Sequence, residues 1–574
     1  MSPEMIGNLV VMVSPKESLF KTAQLIAEKS AVHYGLAVVV DSQRRVLGVI
    51  NDGDFLQLLV KEADLSRSVE AEMIKNPVTV HYKLSHEEII DDVRRQLKER
   101  NRTDKDWVRY VLIVDDNGVL VNVLRYVDLL SYYKGFGEEV AIFGQGFVGL
   151  TLAAALANRG HTVFGIDENE SLVKDLNQAI VHIYEPRLSD TVKAAVDRGV
   201  LSFKHIKEDY SANIYIIAVG SPVDKRGNAD LSAIEEVCRK IAIQLKRGDL
   251  VMLRSTVPAT TTREVVRPLL EEITGLKAGH DFYLAFTPER TIEGRAMTEL
   301  RKLPQIVGGL THVCTQKAST FWSTLTDSVI HVQSLEAAEL IKLINNSFRD
   351  LSFSFSNAFA QLCDKYNLDA FQVINAANEG YPRNHIPNPS PGVGGYCLTK
   401  DPFLYSIDEP ALGHARLAKI SRQIDHASAE YPVKAFEKYL SKVGRNVDQT
   451  SVLVIGLAFK GWPETNDLRG SSALETSRML KSKGCRVLGW DAIVKPSEIE
   501  KEGLEAVEIY EACRDVDAIF ILNNHPKNAP EGLVSMCKGR QVLIFDGWAM
   551  LDHKNVEQFK GLTYATMGYM SLIE

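Results

Sequence analysis

The chain has 574 residues, enough for three or four domains of roughly 150 residues each. Hydrophobic residues make up 45% and charged residues 24%, which excludes a largely disordered chain. Lysine and arginine total 66 against 74 acidic residues, and the resulting net charge of -8 argues against a general nucleic-acid binder. No apolar run approaches the roughly 20 residues of a membrane helix, and no basic region opens the N-terminus. We therefore expect neither a membrane partner nor a secretory signal.

The seven cysteines are scattered and odd in number, and none forms a Cys-x-x-Cys pair. This pattern is typical of reduced thiols in the cytoplasm. It predicts neither a disulfide framework nor a metal site.

Two segments near the N-terminus repeat one pattern. Residues Leu36–Leu59 and Val111–Leu130 each read as an apolar strand, a turn, a second apolar strand and a helix, and a helical stretch precedes each copy. Such a repeat predicts two copies of one α/β unit that pack together. The pair resembles a cystathionine-β-synthase-type (CBS) domain pair.

The resemblance to CBS domains raises the question of a ligand. CBS pairs often bind adenine nucleotides through a Ser or Thr and an Asp that follow the second strand. Asp54 and Asp128 match the Asp positions, whereas Asn51 and Arg125 stand where Ser or Thr is usual. Two interpretations stay open, an adenine-nucleotide site and a packing or oligomerisation module.

A dinucleotide-binding pattern comes next. An apolar strand at Glu139–Phe143 precedes Gly144-Gln-Gly146-Phe-Val-Gly149, a helix of small residues and a second strand that ends at Asp167. The first glycine allows the tight turn, the second lets the backbone approach a pyrophosphate, and the third lets the helix approach the strand. Asp167 is placed to bind the adenosine ribose and would repel a 2′-phosphate, so the pattern predicts NAD rather than NADP.

A cysteine follows a glycine-rich loop in NPSPGVGGYCLTKDPFLY. Cys397 comes just after Gly394-Gly395 and before a predicted helix start, with Lys400 close in sequence. A helix N-terminus and a nearby lysine both lower a thiol pKa, so the loop predicts a nucleophile. The alternative is an inert buried cysteine.

Polar residues spaced three and four apart occur in a long helical stretch. Glu339, Lys342 and Asn346 form one stripe. The stripe is either a solvated helix face or, because the intervening residues are apolar, a partly buried lysine and amide suited to bind an oxyanion.

Seven motifs occur in order from Glu139 onward: GQGFVG, VGSPVD, RSTVPATT, FTPERTIEG, AELIKLINNSF, PGVGGYCLTKDP and GLAFKGWPETNDLRGS. Together they resemble the UDP-glucose/GDP-mannose dehydrogenase family of nucleotide-sugar 6-dehydrogenases. The resemblance implies a four-electron oxidation with two NAD⁺, in which the sugar's C6 alcohol becomes an aldehyde and then a carboxylate. Cys397 would form a thiohemiacetal and then a thioester, because an aldehyde yields a hydride only after a nucleophile has added to it.

The same resemblance assigns roles to individual residues. Lys342 and Asn346 fall on residues that stabilise the alkoxide and the tetrahedral intermediates. Asp401 falls on a carboxylate that orients the lysine or the hydrolytic water, and Glu289 and Thr256 fall on residues of thioester hydrolysis. The implied cofactor contacts are Gly144, Gly146, Phe147, Val148, Gly149, Asp167, Ser221, Pro222, Ser255, Glu293, Lys400 and Arg469. The implied substrate contacts are Gly394, Lys460 and Arg383, the last across a subunit boundary.

Substrate choice rests on two local features. Tyr396 precedes the cysteine where glucose and mannose enzymes usually have serine, and Tyr381-Pro382-Arg383-Asn384 resembles a segment of N-acetylhexosamine enzymes. We therefore favour UDP-N-acetylglucosamine or UDP-N-acetylmannosamine. The alternatives are a UDP-glucose or GDP-mannose 6-dehydrogenase, a two-electron β-hydroxyacid dehydrogenase and a catalytically dead nucleotide sensor.

The predicted fold class is α/β, with two Rossmann-like domains joined by a long helical domain and preceded by the CBS pair. The predicted domains are a CBS pair at 1–134, an NAD-binding domain at 138–330, a helical domain with the cysteine loop at 331–445, and a nucleotide-sugar-binding domain at 449–574. The resemblance also implies a homodimer or larger homo-oligomer assembled through the long helix.

Overall fold

The computed structural model describes residues 10–28, 35–51, 54–55, 58, 63–84, 86–100, 110–125, 137–224, 228–404 and 414–573. The chain divides into two compact units. One consists of Met1–Gly137 with Asn158–Thr162, and the other of Glu138–Ala157 with Val163–Glu574. Within the described ranges, no helix is long and apolar enough to cross a membrane.

The N-terminal unit contains the predicted repeat. Its elements are β1 (Val11–Val13), α1 (Leu19–Glu28), β2 (Leu36–Val40), β3 (Val46–Asn51), β4 (Ile74–Lys75), β5 (Thr79–His81), α2 (His86–Glu99), β6 (Tyr110–Val114) and β7 (Leu120–Arg125). β1 pairs in parallel with β2, which forms an antiparallel hairpin with β3. β5, β6 and β7 repeat this arrangement, including the register shift in the hairpin. The repeated α/β unit is confirmed.

The first large sheet belongs to the second unit. Its strands are β8 (Glu139–Phe143), β9 (Thr162–Asp167), β10 (Leu201–His205), β11 (Ile214–Ile217), β12 (Leu250–Leu253), β13 (Tyr283–Phe286), β14 (Gln305–Gly309) and β15 (Val329–His331). The order is β10-β9-β8-β11-β12-β13-β14-β15, and every pair is parallel except β13 with β14. The order reverses between β8 and β11, which is where dinucleotide-binding sheets open a crevice at their carboxyl edge.

Helices cover both faces of this sheet. They are α3 (Phe147–Ala157), α4 (Glu170–Asn177), α5 (Leu188–Asp197), α6 (Ser232–Gln244), α7 (Arg267–Thr274), α8 (Ala296–Lys302) and α9 (His312–Trp322), with a π-helical turn at Thr262–Val266. Two apolar clusters, one on each face, form the core. Because both faces are covered, the central strands are almost entirely apolar.

Long helices form the middle of the unit. They are α10 (Leu335–Lys365), α11 (Ala370–Asn378), α12 (Tyr396–Leu404) and α13 (His414–Val443). α10 has 31 residues and α13 has 30, and the two are joined by a hydrogen bond of 2.6 Å between the Ser354 and Ser421 hydroxyls and by an ion pair between Asp350 and Arg422. Ser334 caps α10 by accepting the backbone N–H of Ala337.

The last sheet repeats the dinucleotide-binding order. Its strands are β16 (Ser451–Ile455), β17 (Arg486–Trp490), β18 (Glu505–Ala506), β19 (Ala518–Ile521), β20 (Val542–Asp546) and β21 (Leu562–Thr566), flanked by α14 (Ser472–Ser482), α15 (Pro496–Lys501), α16 (Ile509–Ala512), α17 (Leu533–Met536) and α18 (His553–Glu557). The order is β18-β17-β16-β19-β20-β21 and all pairs are parallel. The predicted fold class is confirmed.

Candidate active site

A cavity of about 790 Å³ lies at the carboxyl edge of the first large sheet. Its walls come from the turns after β8, β9, β11, β12 and β13, from one side of α10, from the start of α12 and from the segment after β16. Most of the predicted site residues line it: Gly144, Gly146, Phe147, Val148, Asp167, Ser221, Ser255, Thr256, Glu289, Glu293, Lys342, Asn346, Gly394, Cys397, Lys400, Lys460 and Arg469.

The glycine turn has the geometry that its spacing predicts. Gly144 has a positive φ of 89°, and a Cβ on Gly149 would stand only 1.8 Å from the Gly144 carbonyl oxygen. A Cβ on Gly146 would meet no protein atom within 4 Å, because this residue faces the open cavity. Asp167 accepts the backbone N–H of Gln145 at 2.8 Å and still lines the cavity, which leaves carboxylate lone pairs for a ribose.

The turns after β11 and β12 bind each other. The Ser221 hydroxyl donates to the Thr256 carbonyl, and the Ser255 hydroxyl donates to the Val219 carbonyl at 2.7 Å. Both serines are buried, whereas Pro222 is exposed and does not line the cavity. These bonds fix the backbone that carries Thr256.

Glu289 follows β13 and is held by a buried ion pair. Its carboxylate accepts from Arg254 Nε at 3.0 Å and from the backbone N–H groups of Arg290 and Thr291 at 2.7 and 2.6 Å. Burial alone would raise the pKa of Glu289, but the Arg254 charge and these donors outweigh it, so the pKa is lowered. Glu289 is therefore an ionised carboxylate in the cavity wall.

One stripe of α10 faces the cavity. Lys342 and Asn346 are only 9% and 6% exposed, and Glu339 is 1% exposed, so the interpretation as a solvated helix face is wrong. The apolar neighbours divide between the two sides, with Leu343 1% exposed and Ile344 61% exposed. Among the described residues, no hydrogen-bond acceptor is in contact with the Lys342 ammonium.

Cys397 is the second residue of α12 and lines the cavity, as the loop pattern predicts. The other six cysteines are buried away from it. The Cys397 side chain is exposed to the open cavity, but the protein groups around that cavity desolvate the thiol and raise its pKa. The Asp401 carboxylate raises it further, while Lys342 and Lys400 act in the opposite direction. The prediction of a lowered pKa is wrong for this structure, because desolvation and Asp401 outweigh both lysines.

Asp401 lies behind the cavity wall, fully buried, and connects two helices. One carboxylate oxygen accepts from the Asn346 amide at 2.6 Å and the other from Lys400 Nζ at 2.9 Å. Lys400 Nζ is also 3.5 Å from the Ser221 hydroxyl. The carboxylate thus orients Asn346 on α10 and Lys400 on α12, rather than Lys342.

The segment after β16 contacts the first sheet's side of the cavity. Lys460 Nζ donates to the Glu293 carbonyl at 2.6 Å, and the Thr465 hydroxyl donates to the Glu293 carboxylate at 2.7 Å. Burial raises the pKa of Glu293 and lowers the pKa of Lys460 to about 8. Arg469 pairs with Asp467 and still lines the cavity.

Some residues of the site were not predicted from the sequence. Arg254 precedes Ser255 in the RSTVP motif and pairs with Glu289, and its guanidinium lies 4.7 Å from the centre of the Trp322 ring. Arg349 comes seven residues after Lys342, two helical turns along the same face, and also lines the cavity. Extending the α10 stripe by one more step would have found it.

Arg383 and the CBS positions lie apart from this cavity. Arg383 is exposed, and its guanidinium lies 5.4 Å from the centre of the Tyr381 ring. Asn51 and Asp54 bind each other's backbone, with the Asn51 N–H 2.9 Å from the Asp54 carboxylate and the Asp54 N–H 3.1 Å from the Asn51 side-chain oxygen. Asp128 lies outside the described residues, as does the Arg125 side chain.

Comparison with known proteins identifies the family. Residues 138–326 match the NAD binding domain of the UDP-glucose/GDP-mannose dehydrogenase family, residues 336–426 match its central domain, and residues 453–553 match its UDP binding domain. The chain belongs to this dehydrogenase family. Residues 5–61 and 67–135 match the CBS domain, so the predicted CBS pair is confirmed as well.

Individual relatives agree with the family assignment. A UDP-N-acetyl-D-mannosamine dehydrogenase of Pyrococcus horikoshii is 32% identical over 411 residues, 71% of this chain and 95% of the relative. An NDP-N-acetyl-D-galactosaminuronic acid dehydrogenase of Ralstonia solanacearum is 33% identical over 397 residues, 68% of this chain and 91% of the relative. A solved structure of a UDP-D-ManNAc dehydrogenase from P. horikoshii has a TM-score of 0.68 at 30% identity and covers 75% of this chain and 99% of its own. The chain is an oxidoreductase of this dehydrogenase family, and its cofactor is NAD, as predicted.

Proposed function

We propose that this dehydrogenase oxidises the C6 hydroxymethyl group of a UDP-N-acetylhexosamine, in the gluco or manno series, to a carboxylate. The observation that carries the proposal is one cavity lined by both the NAD-binding glycine turn and the Cys397 thiol, with Lys342 and Asn346 between them in the wall. Tyr396 and the Tyr381–Asn384 segment favour an N-acetylated sugar, and relatives named for N-acetylated nucleotide sugars support the same class.

The cofactor would lie on the glycine turn. The pyrophosphate fits against Gly146 at the N-terminus of α3, where free N–H groups favour negative charge, and the ribose fits against Asp167. When bound, NAD⁺ accepts a hydride in each of two oxidations. Cys397 is needed because the second hydride must leave a tetrahedral carbon: the thiol adds to the aldehyde to give a thiohemiacetal, and loss of the hydride converts this to the thioester.

The residues of α10 and α12 act on oxygen atoms of the substrate. The Lys342 ammonium and the Asn346 amide donate hydrogen bonds to the C6 oxygen as it becomes an alkoxide and later a tetrahedral oxyanion. Asp401 holds the Asn346 amide in place by accepting one of its N–H bonds. Among the described residues no carboxylate accepts a hydrogen bond from Lys342, although its charge acts on Glu289, so its N–H donors are available to the oxyanion.

Release of the acid requires water at the thioester. Glu289 stays ionised because Arg254 and two backbone donors stabilise its charge. A carboxylate with a lowered pKa is a weak proton acceptor, so we assign Glu289 to orienting the water, with the Thr256 hydroxyl as its second contact.

The test counts NADH per molecule of limiting nucleotide sugar. Purified enzyme is given UDP-N-acetylglucosamine, UDP-N-acetylmannosamine, UDP-glucose or GDP-mannose with excess NAD⁺, and the acid is measured by mass spectrometry. We expect two NADH and one uronic acid per molecule of one N-acetylated substrate. A ratio of one NADH would defeat the thioester route and favour a two-electron alcohol dehydrogenase, and no turnover with any sugar would favour a nucleotide sensor.

The matched variants are Cys397→Ser and Cys363→Ala. Cys397→Ser is expected to abolish acid formation, because a serine hydroxyl is a far poorer nucleophile at neutral pH. Cys363 lies on α10, is buried and does not line the cavity, so its variant should retain turnover. Wild-type acid formation by Cys397→Ser would contradict the mechanism.

We also propose a homodimer assembled through α10. Beyond the cavity, the outer side of this helix exposes large apolar groups, with Phe355 50% and Phe359 44% exposed. Burying such a face against a second copy removes it from water, and the second copy would bring Arg383 to the substrate. Light scattering should give a dimer mass for the wild type and a monomer mass for Phe355→Glu.

The CBS pair is proposed to bind an adenine nucleotide that tunes the activity. Asp54 follows β3 at the position that the resemblance indicates. Calorimetric titration of the full chain with ATP, ADP and AMP, together with rates at saturating substrate, decides between this site and a packing module.

Because the cysteines are free and the cofactor is NAD, we propose a cytoplasmic location.

A further inference from the structure

The strongest unexplained feature next to the cavity is a buried carboxylate on α10. Glu339 is 1% exposed and lies one turn before Lys342 on the same face of the helix. Glu339 itself does not line the cavity. An isolated buried carboxylate is costly, so its contacts should indicate what it does.

All three hydrogen-bond donors to Glu339 come from one segment. Its carboxylate accepts the Thr260 N–H at 2.7 Å, the Thr262 N–H at 2.8 Å and the Thr262 hydroxyl at 2.5 Å. This segment follows β12 and begins with Thr256, the residue proposed to contact the hydrolytic water. Glu339 therefore joins the backbone that carries Thr256 to the helix that carries Lys342.

The segment that Glu339 holds is strained. Thr260 has a positive φ of 74°, which a β-branched residue rarely adopts, and a π-helical turn begins at Thr262. Such conformations persist only where surrounding contacts hold them. The bond from the Thr260 N–H to Glu339 is one of those contacts.

Charged groups surround the carboxylate on both elements. Glu336 and Lys342 lie one turn away on α10, and Arg263 and Glu264 belong to the facing segment, where Arg263 pairs with Glu336. Burial raises the pKa of Glu339 to about 7, and the negative charge of Glu336 adds to the effect. A protonated carboxyl carries a donor of its own and accepts less strongly at its hydroxyl oxygen, so at least one of the three bonds is weakened.

We propose that Glu339 is a positioning residue that sets the place of Thr256 relative to Lys342, and that its protonation loosens the 256–262 segment. The inference rests on the proposed function for its kinetic consequence, whereas the loosening is a property of the protein alone. In the charged state the segment is held for hydrolysis. In the neutral state the donors of Thr260 and Thr262 compete for fewer acceptors.

The kinetic test compares Glu339→Gln, Glu339→Asp and the control Glu336→Gln. The amide of Glu339→Gln has one acceptor oxygen and mimics the neutral state, so kcat should fall about tenfold, as expected for loss of a hydrogen bond to a charged group, with KM within about twofold. In the wild type, kcat should fall as the pH drops below about 7, and in Glu339→Gln this fall should be absent. Glu339→Asp keeps the charge and should retain both the fall of kcat at acid pH and part of the rate. Glu336→Gln removes a solvent-side ion pair between the same two elements and should change kcat less than twofold.

Amide hydrogen exchange gives a readout that needs no substrate. In the wild type, exchange at 260–266, corrected for the intrinsic pH dependence, should increase as the pH falls from 8.5 to 5.5, and in Glu339→Gln it should be fast throughout. Unchanged wild-type exchange would overturn the proposal, as would equal kinetic effects of Glu339→Gln and Glu336→Gln. Faster exchange in a protein that oxidises no nucleotide sugar would support the loosening and contradict only the proposed function. If Glu339→Gln does not fold, the wild-type pH series and Glu339→Asp decide.

Discussion

Replacing Arg254 by methionine tests the buried ion pair that keeps Glu289 ionised. The side chain of Arg254 is 1% exposed and that of Glu289 is 7% exposed, and two guanidinium nitrogens contact the carboxylate. Methionine replaces the guanidinium over the Trp322 ring by an apolar side chain and leaves the Glu289 carboxylate with backbone donors only. Removing one partner of a buried pair costs about 3–5 kcal/mol, because the other charge stays in a poorly solvated place.

The length of the NAD-binding domain sets the expected change in Tm. For a domain of the size of residues 138–326, each kcal/mol shifts the Tm by about 2–4 °C, so we expect the Tm of this domain to fall by about 6–20 °C. Differential scanning calorimetry measures it. The control Arg290→Met removes a bond of 3.3 Å to the Pro304 carbonyl in the same wall and should shift the Tm by no more than about 4 °C.

The pH dependence has a definite sign. In the wild type the pKa of Glu289 is below its ordinary value of 4.5, so its ionisation stabilises the fold above that pH, and this stability is lost as the pH falls through the lowered pKa. Without Arg254, burial raises this pKa, so ionisation destabilises the variant and protonation relieves the cost. The Tm difference should therefore shrink between pH 8 and pH 5, and Arg254→Met/Glu289→Gln should recover part of it. A Tm within about 2 °C of wild type at pH 8 would refute the reasoning.

Other positions give sharper tests of binding. Gly146→Ala should leave the Tm unchanged and weaken NAD binding measured by fluorescence. Gly149→Ala should lower the Tm as well as the affinity for NAD, because its Cβ would collide with the Gly144 carbonyl. Equal changes in Tm for the two variants would contradict this. Asp167→Ser should reduce the preference of kcat/KM for NAD over NADP at least about tenfold, and an unchanged ratio would remove its ribose role. The KM for the nucleotide sugar should rise as the pH passes about 8, since Lys460 then loses its charge; in Lys460→Arg the rise should disappear, and its persistence would assign the titration elsewhere.

The fold was predictable where the pattern is local. The turn from Gly144 to Gly149 lies between a buried strand and a helix of small residues, and each glycine has a steric reason that a reader of the sequence can state. The CBS repeat was visible for the same reason, because the hairpins β2–β3 and β6–β7 recur with the same alternation. Cys397 was predictable because the helix start follows directly from the loop composition.

The site was less predictable where tertiary packing determines which side chains are buried and which groups meet. The stripe of Glu339, Lys342 and Asn346 looks like a solvated helix face, and only tertiary packing shows that this polar stripe is buried while Ile344 beside it is 61% exposed. Likewise, Arg254 and Glu289 are 35 residues apart and meet because β12 and β13 are parallel neighbours. The pKa of Cys397 was mispredicted because desolvation depends on the whole cavity rather than on neighbours in sequence.

The two large sheets share one strand order, and each contributes a wall to the same cavity. Gly144 and Arg254 follow strands of the first sheet, and Lys460 follows a strand of the second. Both sheets belong to one compact unit, so the cavity is a gap between two layers of that unit rather than a hole in one sheet. Opening it for nucleotide exchange would require the two sheets to move apart, and where such an opening step limits the rate we expect turnover to fall as the solvent viscosity rises.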